Sequence, residues 1–167
     1  VSGAGAQIDG PSRELTPSIG VSDGGALVQL YGARQVAGIP VRGAGVTATL
    51  NHGNLVLLGT TFWAPVRVST VPTLSDLDAI GRVDAWLAPF AAADLRAKPH
   101  LELLPLGVDG ATGHGYTHRL VWIVEPAIAG LHARYEAAVD AHNGEIVLFE
   151  DTNHYATRNV KGGVYPA

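Results

Sequence analysis

The sequence predicts an α+β fold made of two small antiparallel sheet units, the second of which is led by a helix. Three observations support this fold class. Most apolar residues alternate with polar ones, at the spacing of half-buried strands. Ser75 to Leu87 instead repeats its apolar residues every three or four positions, as a helix does. The strings "NHGNLVL" at Asn51 to Leu57 and "HNGEIVL" at His142 to Leu148 each place a glycine turn before an apolar strand, which indicates two hairpin units.

The first unit is predicted to consist of strands. Val1 to Gly25 is rich in Gly, Ser and Pro and is expected to be a loose lead-in. Pro40 restricts its neighbourhood to a sheet edge or a turn. A tight turn is predicted at Asn51 to Asn54, and Gly59 to Val68 is expected to continue extended. The predicted strands are Ala26 to Arg34, Val46 to Leu50, and Leu55 to Leu58 as a well-buried returning strand.

The second unit begins with the helix. Thr73 or Ser75 is suited to cap the start of this helix, and Pro89 ends or kinks it. A shorter helix is predicted within Phe90 to Lys98. Strands then return, with a turn at His142 to Gly144 before the last one. These strands are predicted at His100 to Leu106, Tyr116 to Val124, Ala133 to Asp140 and Glu145 to Phe149.

The chain is thereby divided into four segments. The tail is polar and contains glycine, so it is expected to be a linker. The segments are Val1 to Gly25 as lead-in, Ala26 to Thr70 as first unit, Val71 to Asp151 as second unit, and Thr152 to Ala167 as linker tail.

Composition excludes several functions. The net charge is −4 without a basic stripe, so a nucleic-acid partner is not expected. The absence of cysteine excludes disulfides and a thiolate nucleophile. Apolar runs are too short to span a bilayer, so no membrane partner is expected. The absence of methionine favours a processed or excised piece, and the Ala-, Gly- and Val-rich composition suggests a high-GC bacterium.

Catalytic motifs are scarce. No His-Glu-x-x-His and no phosphate-binding glycine loop occurs. Ser22 lies in a Gly-x-Ser-x-Gly string, but a nucleophile elbow needs a strand before it and a helix after it. His114 and His118 have helical metal-ligand spacing in a glycine-rich setting that argues against a helix. A carboxylate pair for glycoside hydrolysis is the remaining alternative, although a solvated sheet face is the favoured explanation of these acids, because exposed carboxylates are the norm. The acids concerned are Glu125, Glu136, Asp140, Glu145 and Glu150.

Tryptophans are expected to anchor the core, because each lies in apolar surroundings. They are Trp63, Trp86 and Trp122. Trp63, beside Phe62 and Pro65, is the best candidate for an aromatic side chain that faces a partner.

Val28 to Gly59 resembles the propeptide motif of fungalysin and thermolysin precursors. The resemblance is carried by an extended strand, a Gly-Ile-Pro-Val step, a small-residue pair, a second strand, an Asn/Gly turn and an apolar strand that ends in glycine. The step comprises Gly38, Ile39, Pro40 and Val41, the pair begins at Gly43, and the turn contains Gly53.

The second half resembles the PepSY module that follows in such precursors. Leu120 to Val124, Ala133 to Glu136 and the string "VDAHNGEI", which contains Asp140, Asn143 and Gly144, carry this similarity. The tail string "NVKGGVYPA" is similar to the junction that leads into the catalytic domain. The helical lead that often opens the first module is not visible in Val1 to Gly25.

The resemblance implies two cystatin-like units that act as a non-catalytic pro-region of a secreted or periplasmic bacterial zinc metalloprotease. Such a region serves as intramolecular chaperone and inhibitor, and its partner is the catalytic domain, in cis or as a complex after cleavage. No cofactor is expected in this chain, because zinc would belong to the partner. Trp63, Glu150, Asp151 and His154 are the candidates for partner-facing residues. Two alternatives stay open: a stand-alone or surface-protein binding module, and a small hydrolase that uses Ser22 or a carboxylate pair.

Overall fold

A computed structural model describes residues 15–88, 92–107, 115–128 and 130–153. Within these ranges the chain is mostly β-strand, with one α-helix of twelve residues. The elements are β1 (Leu15–Ser22), β2 (Leu27–Val36), β3 (Ile39–Asn51), β4 (Asn54–Thr61), α1 (Asp76–Leu87), β5 (Ala92–Leu95), β6 (His100–Gly107), β7 (Tyr116–Val124), β8 (Pro126–Ile128), β9 (Tyr135–Asp140) and β10 (Ile146–Asp151).

Eight strands form one large mixed sheet. Its order is β1-β2-β3-β6-β7-β9-β10, and β4 pairs with β3 beside this path. All neighbours are antiparallel except β3 and β6, which pair in parallel where Val41 meets Leu103. Strands β5 and β8 form a separate antiparallel pair. The prediction of two small cystatin-like units in an α+β fold is therefore wrong.

The physical reason lies in β3. The sequence predicted only Val46 to Leu50 as a strand here, whereas β3 extends from Ile39 to Asn51. Its first part pairs with β6 and its second part with β4, so one strand joins both predicted units. Gly43, which has a φ of +66°, separates the two parts. Hairpin patterns report pairing between neighbours in sequence and do not show that strands of distant hairpins share a sheet.

Three local predictions are also wrong. The lead-in ends in a strand, β1, and the short helix expected within Phe90 to Lys98 is replaced by strand β5 over the described residues. Leu55 to Leu58 does form a strand, but each of these side chains is more than half exposed instead of buried. The apolar run therefore predicted the strand correctly, but it predicted burial where the side chains are exposed.

Helix α1 confirms the periodicity prediction. The Ser75 hydroxyl accepts a hydrogen bond from the Asp78 amide, and the Asp78 carboxylate accepts one from the Ser75 amide, which closes a capping box. The pKa of Asp78 is lowered because its carboxylate accepts hydrogen bonds from the Ser75 hydroxyl, at 2.7 Å, and from the Ser75 amide, at 2.9 Å. The helix buries Ala79, Val83 and Leu87 against β7 and β9, on the buried residues Val124, Ala137 and Val139.

The turn between β9 and β10 is organised by Asp140, which is buried. Its Oδ1 accepts hydrogen bonds from the amides of His142 at 2.9 Å and Asn143 at 3.2 Å. The Gly144 amide donates to the Asp140 carbonyl, and Gly144 has a φ of +77°, as the predicted turn requires. The three residues that the PepSY resemblance singled out thus form one turn.

We predict that Gly144→Val destabilises the protein by about 1 kcal/mol or more, and by more than Gly53→Val does. Both glycines have a φ of +77°, so both substitutions cause the same backbone strain. A Cβ atom at Gly144 would lie 2.9 Å from Arg82 Nε and 3.2 Å from Leu74 Cδ1, whereas none of these contacts exists at Gly53. Urea denaturation gives the free energy of unfolding of both variants. An equal decrease in the two variants would contradict the close packing at Gly144.

Candidate functional site: an uncovered apolar sheet face

The outer four strands, β1 to β4, present one continuous apolar surface. The strand registers place two rows of side chains on the same side of the sheet. The first row is Val21, Val28, Leu50 and Leu55, and the second is Ile19, Leu30, Ala48 and Leu58. These eight residues are called the apolar face below. None of them carries a charge.

The apolar face is uncovered by the described part of the chain. Its outer members are the most exposed, with 66% of Ile19 and 64% of Leu58 accessible to solvent. Helix α1 packs on β7 and β9 at the other end of the sheet, and the three buried apolar clusters contain no residue of the apolar face. An antiparallel sheet normally packs one face against a core. Here the face suited to packing has no layer over it among the residues that the structure describes.

The opposite side of the same strands is more polar. It carries Ser18, Gln29, Thr47 and Thr49, with Tyr31 and Leu57 as the large exceptions. Exposed side chains of the apolar face amount to accessible surface on the order of 400 Å², a size at which patches on monomers are often functional. The apolar and the more polar side chains of these strands are thus largely separated onto opposite sides of the sheet.

Arg34 links β2 to the segment after β4. It is 7% exposed and lies where the β2–β3 register shifts. Its Nη1 donates hydrogen bonds to the carbonyl oxygens of Phe62 at 3.1 Å and Ala64 at 2.9 Å, and its guanidinium lies 4.8 Å from the centre of the Trp63 ring. Trp63, predicted to face a partner, is thus half-buried against a cation of its own chain.

Tyr116 and His118 of β7 border the same segment. The Tyr116 hydroxyl accepts a hydrogen bond from the Ala64 amide at 2.6 Å, and its ring packs edge-on against Phe62. His118 is 8% exposed, and its Nε2 has no hydrogen-bond partner within the described ranges. Burial, assisted by the positive charge of Arg34, lowers the pKa of His118, so this imidazole is neutral at neutral pH.

A cavity of about 540 Å³ adjoins this cluster. Its lining consists of Ala64, Pro65, Arg67, Val68, Tyr116, Thr117 and His118. Among the described residues of this lining, none is a carboxylate that would orient His118 as a general base.

We predict that stability falls as the pH drops below about 6.5, in part because of His118. Its folded-state pKa lies below the ordinary value of 6.5, so the unfolded chain takes up the proton first. The stability that neutral His118 allows is fully present above pH 6.5. It is lost as the pH falls from 6.5 toward the folded-state pKa of His118. Urea denaturation measures the free energy of unfolding at pH 8 and at pH 5. This free energy should fall less between the two pH values for His118→Gln than for the exposed-site control His132→Gln. Equal slopes in both variants would refute this role of His118.

A second cluster joins three distant strands. Arg42 of β3 donates from Nε to Glu102 at 2.7 Å and from Nη1 to Glu136 at 2.5 Å. Burial acts to lower the pKa of Arg42, but its hydrogen bonds and charge attraction to Glu136 and Glu102 outweigh this and raise it. No spacing in the sequence connects these residues, which are 60 and 94 positions apart from Arg42.

Glu150 and Asp151 lie beside this ion cluster. They line a cavity of about 440 Å³ together with Arg42, Glu136, Thr152 and Asn153. Glu136, a candidate for a hydrolytic carboxylate pair, is bonded to a guanidinium here, as in a structural ion cluster.

We predict that Arg42→Ala destabilises the protein by about 1–3 kcal/mol, because it leaves two half-buried carboxylates without their cation. The control is Arg134→Ala, which breaks an ion pair to Glu125 on a side chain that is 60% exposed. That loss should be below about 1 kcal/mol. Similar losses in both variants, measured by chemical denaturation, would contradict the account of the Arg42 cluster.

Residues of the propeptide-like motif lie in turns and in β3. Gly38 has a φ of +80° in the turn between β2 and β3, and Gly53 occupies the turn between β3 and β4. Pro40 pairs with Gln35, and Ile39 packs against the cluster that contains buried Val41. His154, a predicted partner-facing residue, lies outside the described residues.

The catalytic alternatives gain no geometric support. Ser22 ends β1, but a single 3₁₀ turn at Asp23–Gly25 and then β2 follow it, so the helix of a nucleophile elbow is missing. His118 lies in a strand, and His114 is outside the described residues. Over the described ranges, no three metal-binding side chains cluster, and no helix is long and apolar enough to cross a membrane.

The two members of the apolar face that lie on β1, Ile19 and Val21, were not predicted from the sequence. Ile19 and Val21 alternate with Ser18, Gly20 and Ser22, which is a strand signal inside the segment taken as a lead-in. The glycine and proline content of that segment obscured the alternation.

No family model matches the chain, and no curated protein matches it. Among solved structures, it is similar to the Bacillus megaterium YpeB C-terminal domain, with a TM-score of 0.45 and 11% identity. This match covers 85% of the chain and 58% of the YpeB structure. Such a distant likeness does not indicate a function.

Proposed function

We propose that this chain is a non-catalytic binding module whose apolar face docks onto a partner protein. The single observation that supports this proposal most is the pair of uncharged apolar rows across β1 to β4, left without a covering layer in the described chain. Burying such a surface is favourable by roughly 25 cal/mol per Å². A surface of this kind is typical of an interaction site.

The more specific proposal is that the chain is the pro-region of a secreted zinc metalloprotease. It rests on the resemblance of Val28 to Gly59 to the propeptide motif. This segment contributes β2, β3 and β4, and with them six of the eight residues of the apolar face. The part of the chain that carries the resemblance is thus the part that carries the surface.

The size of the apolar face favours a partner in the same polypeptide. Stable complexes between free proteins usually bury about 800 Å² on each partner, which is roughly twice what this face offers. A covalent linker raises the effective concentration of the partner, so a smaller contact suffices. This is the situation of a pro-region attached to its catalytic domain.

In that role the chain acts by binding, not by chemistry. Docking to the folded catalytic domain stabilises it relative to unfolded forms, which is the basis of chaperone action. Covering the cleft until cleavage would inhibit the protease. The zinc ion and the nucleophilic water would belong entirely to the partner.

The alternative is a stand-alone or surface-protein binding module that uses the same apolar face for an unrelated partner. The discriminating observation is the coding region that flanks the chain. A His-Glu-x-x-His sequence downstream supports the pro-region, whereas an unrelated neighbour supports the alternative.

The test is inhibition of the catalytic domain that the flanking region encodes, with the isolated chain added in trans. We predict that Leu58→Lys raises the inhibition constant by at least about tenfold, because a lysine on the apolar face loses its water on docking. Leu77→Lys is the matched control, since Leu77 is 74% exposed on α1. It should inhibit like the unmodified chain.

Two results would count against these proposals. If the flanking region encodes no metalloprotease, the pro-region proposal fails and the binding-module alternative takes its place. If both lysine variants inhibit an encoded protease equally well, docking does not use the apolar face.

A further inference from the structure

Residues 62–65 connect the outer strands β1 to β4 with the inner strands of the large sheet, and they are called the bridge below. They follow β4 in the irregular segment before α1. Side chains hold both backbone polar groups of Ala64. Its carbonyl accepts a hydrogen bond from Arg34 Nη1 of β2 at 2.9 Å, and its amide donates one to the Tyr116 hydroxyl of β7 at 2.6 Å. Because β3 and β6 lie between β2 and β7, the bridge spans two strands of the sheet.

Phe62, the first residue of the bridge, has an unfavourable backbone conformation. Its φ is +47°, a region that bulky L-residues rarely adopt. Its carbonyl accepts a second hydrogen bond from Arg34 Nη1 at 3.1 Å, and its ring packs edge-on against Tyr116 with the ring centres 5.2 Å apart. Such a conformation persists only where the surrounding contacts hold it. We therefore expect the bridge, and not the paired strands, to move when these contacts weaken.

His118 lies beside these contacts, two residues from Tyr116 on β7, and the two rings meet edge-on with their centres 5.4 Å apart. The Nε2 atom of His118 is buried, and no group within the described ranges is hydrogen-bonded to it. Both ring nitrogens of a protonated histidine carry a hydrogen. A proton added to this ring would therefore leave a buried N–H that no described group accepts.

The described residues place no opposite charge beside His118. Arg34 is close enough for its positive charge to lower the pKa of His118, in addition to the larger effect of burial. Arg67, of the segment after β4, lines the same cavity as His118. Glu102 of β6 and its partner Arg42 of β3 lie on the opposite side of the sheet, because Glu102 is three positions from the β6 residue that pairs with His118. Protonation of His118 is thus uncompensated.

We propose that protonation of His118 releases the bridge from Arg34 and Tyr116 while the strands stay paired, so that the bridge is a pH-sensitive connection between the two parts of the sheet. An imidazolium beside the buried guanidinium of Arg34 places two like charges in a poorly solvated site. Moving the bridge away admits water to both cations and weakens their repulsion.

The pH range of the release follows from His118. Its pKa lies below the ordinary value of 6.5 while the bridge is closed, and the solvated ring of the open form takes up the proton first. The closed form is therefore fully favoured above pH 6.5. Opening becomes easier as the pH falls from 6.5 toward the pKa of the closed form. The bridge contains none of the eight residues of the apolar face, so this proposal is correct or incorrect independently of the proposed docking.

Hydrogen exchange of the 167-residue chain, followed by NMR, measures the opening at the Ala64 amide. We expect its protection factor to fall between pH 7 and pH 5 by at least about threefold more than that of the Ala141 amide. The Ala141 amide is the reference, because it donates to the Leu120 carbonyl in the core at 2.8 Å. An equal decrease at both amides would overturn the proposal, since the pH would then act on global unfolding alone.

Two variants assign the effect to His118. The extra loss of protection at Ala64 should disappear in His118→Gln and persist in His132→Gln, which changes an exposed histidine. Persistence in His118→Gln would refute the role of His118. Circular dichroism establishes that each variant is folded.

A titration of the unmodified chain decides the question even if His118→Gln does not fold. The ring nitrogen signals of His118 and the amide signal of Ala64 are followed by NMR over the same pH series. The proposal predicts one common midpoint for both groups, below that of His132. Separate midpoints for His118 and Ala64 would contradict it.

Discussion

The structure depends on strand β3, which pairs with strands from both halves of the sheet. Its first part lies beside β6, and its second part lies between β2 and β4. Two residues of β3, Val41 and Ala44, are buried in one cluster with Leu103, Leu120 and Ala141. Gly43, with its positive φ, lets the strand change neighbours between the two parts. Within the described residues, β3 is thus the strand of the outer region that pairs with a strand of the inner half.

This arrangement makes the two halves of the sheet unequal. The inner half is covered by α1, which buries Val83 against β7 and β9, and by the segment before the helix, where the Leu74 carbonyl accepts a hydrogen bond from Trp122 Nε1 at 2.9 Å. The outer half has the same apolar alternation, but no described residue covers it. About 400 Å² of exposed apolar surface corresponds to roughly 10 kcal/mol of burial free energy, from which the costs of association are subtracted. Within the described residues, this apolar surface at one end of the sheet is accessible to solvent.

Local features were predictable from the sequence because short-range chemistry determines them. The Ser75 cap, the helix to Leu87, strand β7 and the turn at Gly144 all follow from neighbouring residues. The parallel contact of Val41 with Leu103 and the ion cluster of Arg42 join residues far apart in sequence, and no periodic pattern encodes them. Leu55 to Leu58 shows the limit most clearly. Its apolar composition indicates side chains that avoid water, but the covering layer cannot be identified from the strand itself.

The central claim is that the apolar face is open to solvent in the isolated chain, and hydroxyl-radical footprinting of the monomer at low concentration tests it most directly. The account predicts that Ile19 and Leu58 are oxidised about as fast as exposed Leu77, whereas Leu103 and Leu120, which are 0% exposed, are protected. Protection of Ile19 and Leu58 at the level of Leu103 would show that the chain covers this face itself, and the proposed docking surface would then not exist.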